Sequence, residues 1–402
     1  MRTLILSDLH LGSVSRSDLL RRPELREPLL RAVEGVDRVV LLGDVLELRH
    51  GPPREALAIA QPFFEDLGRA LKGAELVLVA GNHDHALIEP WLALRAELPA
   101  PAPLGLEQLL EPVEASPMVK RLADWAAPAR VRFAYPGLWV RPDVYATHGH
   151  YLDCHLTVPT IERLTVAAMS RLLGRPAHGF GQVADYEAVT APMYAWRHAV
   201  AREARTGDAL NGIATVHAWR TLGGGSGGGS RSGGAKRNGT RSRRSLPATL
   251  VAELRTRAMV RGFPLAVAAL NRAGLGPLRS EISAGELRGA GLRAMGEVAS
   301  RLGLGDAFVV FGHTHRSGPL PADDPGEWNR PPAPGAASGP RLVNTGSWTY
   351  DSIFLTDTPG ESPYWPGTCA LVEDDGAPVL QRLLLDRSNS ELAPARRRPS
   401  TA

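Results

Sequence analysis

The chain has 402 residues, which is enough for one large domain with insertions or for two smaller domains. Its 44% of hydrophobic and 22% of charged residues are typical of a globular protein, and no stretch reaches the roughly 18 apolar residues of a transmembrane helix. The two cysteines, Cys154 and Cys369, lie far apart, which excludes a disulfide framework and a cysteine-based zinc site. The net charge of +4 is too small to indicate a partner.

The first residues predict a protein that is not exported. The apolar run Thr3–Leu6 is short, and Asp8 and His10 follow it closely, whereas a secretory signal requires a longer apolar region. We therefore expect a cytoplasmic protein without a transmembrane segment.

The first third of the chain alternates between apolar runs and stretches with helical spacing. Residues 4–7, 38–42 and 75–80 are predicted strands, and each leads into a cluster of polar residues. Between them, residues 18–34 and 54–71 carry leucine, alanine and phenylalanine at helical intervals. This order predicts βαβ units whose strands share a sheet, with the polar clusters gathered at one edge.

The next third is less regular. Residues 99–142 are rich in proline, alanine and leucine and give no clear pattern, until Val144–Thr147 predicts a strand that ends in His148 and His150. Residues 152–218 are mainly helical without a chemical motif, which predicts an inserted cap.

A Gly/Ser-rich tract, residues 222–245, contains six basic residues and no acidic one, which predicts a disordered, solvated loop. Contact with a polyanion is the alternative. Helical patterning returns over residues 248–301. Within it, residues 262–269 are predicted to pack in the cap, with an amphipathic membrane contact or a lid over the site as alternatives.

A late strand, residues 307–311, runs into His313 and His315. Three further strands are predicted to close a second, more antiparallel sheet, and the last dozen residues are predicted to form a solvated tail. The three strands are residues 341–343, 369–373 and 379–385.

Five predicted strand ends carry side chains that bind metals. Neighbouring glycines allow tight turns there and keep side chains away from an ion. On an extended segment residues i and i+2 share a face, so the members of the pairs Asp8-x-His10 and His313-x-His315 can reach neighbouring ions. The five clusters are Asp8-Leu9-His10, Gly43-Asp44, Gly81-Asn82-His83-Asp84, His148-Gly149-His150 and Gly312-His313-Thr314-His315.

These clusters, in this order, resemble the pattern of the calcineurin-like metallophosphoesterase superfamily: D-x-H, G-D, G-N-H-D/E, a lone H and G-H-x-H. The resemblance covers about residues 1–150 and 305–350. It implies two divalent ions about 3.5 to 4 Å apart and a bridging hydroxide that attacks phosphorus. One ion would bind Asp8, His10, Asp44 and His315, and the other Asp44, Asn82, His148 and His313.

The same resemblance implies two catalytic residues. His83 would stabilise the transition state or protonate the leaving oxygen, and Asp84 would orient its imidazole. Glu47 occupies a position, three after the bridging aspartate, where the family often has an acidic residue. His148 is taken as the ligand because it follows its strand directly, with His150 as the alternative.

A narrower resemblance is to the bacterial UDP-2,3-diacylglucosamine pyrophosphatase branch. It depends on residues 7–12, on Glu47 and on residues 312–316, which other branches share. His83 stands where that branch is expected to have arginine. The nucleotide-lipid substrate is therefore not assigned.

We expect an α/β fold of two packed sheets flanked by helices, with a mainly helical inserted cap. The predicted organisation is a core in two parts, an insertion that contains the loop, and a disordered tail. Their bounds are residues 1–150 and 305–388 for the core, 151–304 for the insertion, 222–245 for the loop and 389–402 for the tail.

The predicted function is hydrolysis of a phosphate ester or pyrophosphate bond in a phosphorylated small molecule or lipid-linked substrate. Mixed His, Asp and Asn ligands favour Mn²⁺, with Fe and Zn²⁺ as alternatives. A nuclease-type phosphodiesterase that acts on nucleic acid is the second hypothesis, and a non-catalytic metal-stabilised scaffold for a protein partner is the third. Peripheral membrane contact would come from the basic loop.

Overall fold

The computed structural model describes residues 1–172, 174, 179–203, 267–273, 275–279, 284–332 and 338–394. The predicted loop at residues 222–245 lies outside them, as do residues 395–402 of the predicted tail and most of residues 262–269. None of the described helices combines the length and the apolar character that crossing a membrane requires.

Hydrogen bonds join the described strands into one mixed sheet of eleven strands, in the order β11-β10-β1-β2-β3-β5-β6-β7-β9-β8, with β4 paired to β5. The α/β class is confirmed. The strands are β1 Thr3–Leu6, β2 Arg38–Leu42, β3 Glu75–Val79, β4 Glu107–Leu110, β5 Arg130–Arg141, β6 Val144–Thr147, β7 Phe308–Phe311, β8 Ser317–Gly318, β9 Arg341–Thr345, β10 Thr368–Val372 and β11 Val379–Arg382.

The long strand β5 joins what the sequence predicted as two separate sheets. Residues 130–134 pair in parallel with β3, and residues 137–141 pair antiparallel with β6. We call β11, β10, β1, β2, β3 and the start of β5 the first half-sheet, and the rest of β5 with β6, β7, β9 and β8 the second half-sheet. Arg141, at the far end of β5, donates to the carbonyls of Glu373 and Gly376 beyond β10, so the second half-sheet folds back over the first.

Both faces of the central strands are buried, which explains their uninterrupted apolar runs. Alternate residues of β2 face opposite ways: Val39 and Leu41 join the helix-covered cluster, whereas Val40 and Leu42 join a second cluster. The second cluster draws its buried residues from strands of both half-sheets and forms the layer between them. The predicted sandwich packing is therefore present, with one continuous sheet in place of two.

The helices cover the outer faces, and those between β6 and β7 share the main hydrophobic cluster with the sheet through residues such as Val189, Met193 and Met295. The described part of the predicted cap thus packs on the core. The helices are α1 Pro23–Ala32, α2 Pro53–Leu71, α3 Glu89–Ala96, α4 Pro112–Ala115, α5 Pro117–Trp125, α6 Ile161–Leu172, α7 Val183–Glu203, α8 Ala284–Arg301, α9 Pro325–Trp328 and α10 Asn389–Leu392, with 3-10 turns at Leu19–Arg21, His85–Leu87 and His150–Cys154.

The predicted disordered tail is wrong at its start. Residues Asn389–Leu392 form a short helix whose capping box uses Ser388 and Glu391. Leu392 is fully buried, and Arg22 donates to the carbonyls of Glu391 and Ala393. The buried leucine, the cap and hydrogen bonds from Arg22 and Tyr350 therefore hold this segment on the core.

Candidate metal centre

The polar clusters meet at one edge of the sheet because their strands run in the same direction. Strands β1, β2 and β3 are parallel neighbours in the first half-sheet, and β6 and β7 are parallel neighbours in the second. The carboxyl ends of parallel strands share an edge, and loops at that edge commonly form binding sites. The structure thus brings together all seven predicted ligands, three of them from loops of the second half-sheet.

The backbone at these strand ends is left-handed, not extended. The φ angles are +57° at Asp8, +46° at His10, +51° at Asp44, +64° at His313 and +58° at His315. Non-glycine residues seldom adopt this conformation, and when they do they often lie at functional sites. The predicted reason for the shared face of each pair, an extended i and i+2 arrangement, is therefore wrong, although both members still reach the same edge.

One set of donors, which we call the first group, consists of Asp8, His10 and His315. Its ligand atoms lie within 4.8 Å of one another. His315 Nε2 is 3.3 Å from Asp8 Oδ1 and 3.3 Å from His10 Nε2. Asp8 Oδ1 is buried without a hydrogen-bond partner, which is costly for a carboxylate oxygen unless a cation satisfies it.

The second group consists of Asp44, His148 and His313, whose ligand atoms again lie within 4.8 Å of one another. His148 Nε2 is 3.3 Å from Asp44 Oδ2. The same oxygen is 3.6 Å from His10 Nε2 in the first group. Asp44 Oδ2 therefore lies between the two groups.

Asn82 completes the second group. Its Oδ1 lies 3.0 Å from His148 Nε2 and 3.0 Å from His313 Nδ1. His148 Nδ1 is 3.0 Å from the carbonyl of Leu42, to which it donates, so Nε2 of the neutral ring carries a lone pair toward Asn82. With protein atoms alone a reversed amide would hydrogen-bond better. In the orientation shown, Asn82 Oδ1 and the two imidazole nitrogens face one point, as the ligands of a metal ion would, so the chemistry of the donor set fits a metal ion.

Glycine is required where two loops approach the donors. A Cβ at Gly81 would overlap Asp44 Oδ1, and a Cβ at Gly312 would overlap the side chains of Ser7 and Asp8. The predicted role of these glycines, to keep bulk away from the ligands, agrees with this crowding.

The charges of the donors favour cation binding. Burial alone would raise the pKa of Asp44, but attraction to His148 and His83 holds it well below the usual range, so Asp44 is a carboxylate near pH 7. Burial lowers the pKa of His148, yet Asp44 outweighs this effect and raises the pKa to about 9. A metal ion and a proton therefore compete for the same imidazole nitrogen.

His83 lies beside both groups, and its side chain is 23% exposed. Its ring stacks edge-on against His10 with centroids 4.5 Å apart, and its backbone N–H donates to Asp44 Oδ1 at 2.7 Å. One nitrogen of His83 also lies within 4.8 Å of ligand atoms of His10 and Asp44. Burial lowers the pKa of His83 to about 4 against the opposing effect of Glu47, so the ring is neutral near pH 7.

Glu47, not Asp84, orients this imidazole. Glu47 Oε2 lies 2.8 Å from Nδ1 of His83 and 3.1 Å from Nδ1 of His10. One buried carboxylate therefore fixes the tautomers of both rings and leaves their Nε2 atoms facing the site. A single glutamate side chain at position 47 therefore contacts two histidines at once.

The comparison with known proteins agrees with this geometry. A sequence model of the calcineurin-like phosphoesterase family matches residues 1–176. The chain carries a calcineurin-like phosphoesterase domain. Among curated proteins no significant match is found. The matched region includes five of the seven predicted ligands, and the structure adds His313 and His315 to the same site from the far side of the insertion.

The role predicted for Asp84, to orient the His83 ring, is wrong. Its carboxylate accepts hydrogen bonds at 2.7 to 3.2 Å from the backbone N–H groups of Gly81, Asp44, Val45 and Leu46. Among the described residues, these groups and not the His83 ring are its hydrogen-bond partners. Asp84 ties the loop after β3 to the loop after β2. Its adjacency to His83 in the sequence suggested the wrong partner.

Asp153 is a site residue that the ligand prediction missed. Its Oδ1 lies 3.1 Å from His313 Nε2, opposite the ring nitrogen that faces Asn82. Carboxylates at this position hold a metal-binding histidine in one tautomer and orientation. The sequence offered no motif for this contact, because Asp153 comes from the insertion and meets His313 only in the fold.

His150 is not part of either group. It is fully buried, and its ring packs against Tyr151 and Tyr194 at centroid distances of 4.7 and 5.6 Å. His148 instead lies against Asp44 and Asn82, so the geometry favours His148 as the ligand.

Proposed function

We propose that this phosphoesterase domain hydrolyses a phosphate ester or pyrophosphate bond at a dinuclear metal centre. The observation that carries the proposal is the position of Asp44 Oδ2, 3.3 Å from His148 of the second group and 3.6 Å from His10 of the first. Two divalent ions held by these groups would polarise phosphate oxygens and lower the pKa of bound water.

The ligand set of the proposal is the one that the sequence predicted. It contains three negatively polarised oxygens and four imidazoles, a mixture that suits Mn²⁺, with Fe and Zn²⁺ as alternatives. We propose Mn²⁺ as the ion. The set is Asp8, His10, Asp44, Asn82, His148, His313 and His315.

His83 is the proposed proton-transfer residue. Its Nδ1–H donates to Glu47, so Nε2 is the ring atom left to exchange a proton with the substrate. A bound phosphate anion would raise the pKa of the ring, since an opposite charge favours the protonated form. His83 can then protonate the leaving oxygen.

The substrate is proposed to be a phosphorylated small molecule or a lipid-linked phosphate. The complete donor set supports an enzyme over a non-catalytic scaffold, which would not need the His83 and Glu47 pair beside its metal ligands. Cytoplasmic location and peripheral membrane contact remain proposals from the sequence. The pyrophosphatase branch stays a prediction, and so does action on nucleic acid.

The test is Mn²⁺-dependent hydrolysis of bis-p-nitrophenyl phosphate and p-nitrophenyl phosphate by the full chain. We expect turnover that requires Mn²⁺ and that is lost in Asp44→Asn. The matched control is Asp357→Asn, which removes the same charge from an exposed loop. Two bound Mn²⁺ ions without hydrolysis of either ester would contradict a general phosphoesterase activity.

A further inference from the structure

Five residues form a closed circuit of contacts beside the second group. The guanidinium of Arg49 lies 3.0 Å from the side-chain nitrogen of Asn82, and Asn82 Oδ1 lies 3.0 Å from His148 Nε2. The rings of His148 and His150 are 5.7 Å apart, and those of His150 and Tyr194 are 5.6 Å apart. The guanidinium carbon of Arg49 lies 5.1 Å from the Tyr194 ring centre, which closes what we call the Arg49 circuit.

The Arg49 circuit holds polar atoms without hydrogen-bond partners. Both ring nitrogens of His150, the hydroxyl of Tyr194 and Nε of Arg49 are buried and unpaired. His150 is 1% exposed and Tyr194 is 2% exposed. More than 90% of buried polar groups in folded proteins have partners, so several neighbouring exceptions indicate a place for a ligand.

The circuit offers mainly hydrogen-bond donors. The side-chain nitrogen of Asn82 and the guanidinium of Arg49 face each other without an acceptor between them when Oδ1 is turned toward the histidines. Within the described part of the chain the Arg49 guanidinium has no carboxylate partner. A cationic fork and a phenol beside a metal group are complementary to the oxygens of a phosphate.

We propose that the Arg49 circuit is an anion subsite that takes a phosphoryl oxygen of the substrate, with Arg49 as its cationic donor and Tyr194 as a second donor. This inference rests on the proposed function, because it assigns a substrate contact in the same site. The ligand class is a phosphate group, which the circuit recognises by charge and by donor geometry.

Tyr194 lies on α7, so the insertion supplies part of this subsite. The helix is fixed over the sheet by Glu187, which accepts hydrogen bonds from the hydroxyls of Tyr135 and Tyr151. His85 Nε2 lies 3.4 Å from the same carboxylate. The buried anchor at Glu187 therefore holds the Tyr194 ring against Arg49, and the insertion takes part in substrate binding.

The first experiment measures binding of inorganic phosphate to the Mn²⁺-loaded protein by calorimetry. We expect Arg49→Gln to raise the Kd for phosphate about tenfold or more, because a charged hydrogen bond is lost. Arg49→Lys should give an intermediate Kd, since it keeps the charge and loses the fork. Arg54→Gln is the matched control on an exposed residue and should bind phosphate like the wild type.

The second experiment compares Tyr194→Phe with the wild type. Removal of an unpaired buried hydroxyl should leave the Tm unchanged or raise it, whereas the Kd for phosphate should rise about threefold. A purely structural hydroxyl would lower the Tm on removal and leave the Kd unchanged, and an unchanged Kd would overturn the role of Tyr194.

The outcomes separate this inference from the proposed function. If Arg49→Gln binds phosphate within twofold of the wild type while holding two Mn²⁺ ions, the anion subsite is wrong even if esters are hydrolysed. If the wild type hydrolyses no ester but binds phosphate through Arg49, the subsite stands and the hydrolase is wrong.

Discussion

The two ligand groups differ in burial and in what holds them. The first group is the more open one at a single ligand: Asp8 and His10 are buried, but the His315 side chain is 34% exposed, and among the described residues its Nδ1 has Thr349 Oγ1 at 3.4 Å as hydrogen-bond partner. The second group is closed: His148 is fully buried and donates to a backbone carbonyl, and His313 is held by Asp153. His315 of the open group thus has a weak outer contact, whereas His10 of the same group is held by Glu47 at 3.1 Å and both histidines of the closed group have strong contacts.

The difference shows how the insertion changes the site. The contacts of the first group all come from the core motifs and the loop after β9. The second group depends also on Asp153 and lies beside Tyr194, both from the segment between β6 and β7. We therefore expect the first ion to exchange faster, and the second to respond to changes in the insertion.

The largest effect should come from Asp44→Asn, because Asp44 is shared by both groups. We expect turnover to fall by about 10³-fold or more, since an amide cannot replace the bridging charge. Bound Mn²⁺, counted by elemental analysis after dialysis, should fall below two ions per chain. Retention of two ions together with full turnover would refute the bridging role.

His83→Ala should separate catalysis from metal binding. Loss of a proton-transfer residue typically lowers turnover by about 10² to 10⁴-fold. Because His83 is assigned to neither group, both ions should remain. Loss of one ion in this variant would instead make His83 a ligand, together with His10 and Asp44.

Asp153→Asn should weaken the second group alone. Changes to carboxylates behind a ligating histidine usually cost about 10 to 100-fold in metal affinity. Titration with Mn²⁺ should show one weakened site and one unchanged site, and Asp357→Asn should change neither. An equal loss at both sites would remove the distinction between the groups.

The smallest effect is expected for Thr349→Val, which removes the outer contact of His315. A hydrogen bond of 3.4 Å is weak, so the affinity of the first group should fall only about twofold. The same Mn²⁺ titration measures it. A tenfold loss would show that the open group depends on this contact as strongly as the closed group depends on Asp153.

Much of the fold could be predicted because the central strands are buried on both faces and appear as continuous apolar runs. Strand β5 was not predicted, since Pro136 and Gly137 interrupt it and such a pair normally marks a turn. In the structure this pair lies where β5 leaves β3 and begins to pair with β6. The interruption marks the passage between the half-sheets.

The ligands could be predicted because each lies shortly after the end of a strand, and strand direction brings such positions together. The contacts of the supporting residues could not, although the resemblance had pointed to an acidic residue at Glu47. Glu47 reaches His83, and Asp153 reaches His313, only after loops from distant segments fold over the sheet. Asp84 was assigned by its place next to His83, whereas its carboxylate is fully used by backbone N–H groups of two loops.

Because β5 passes from the first half-sheet into the second, bound metal ions would also have a structural role. Asp8, Asp44 and Asn82 follow strands of the first half-sheet, whereas His148 and His313 follow strands of the second. An ion in either group would be a cross-link between the two halves, and its binding free energy would add to the free energy of unfolding. With both cysteines free, coordination would serve where other proteins use a disulfide, and a chelator would lower the Tm as well as the turnover.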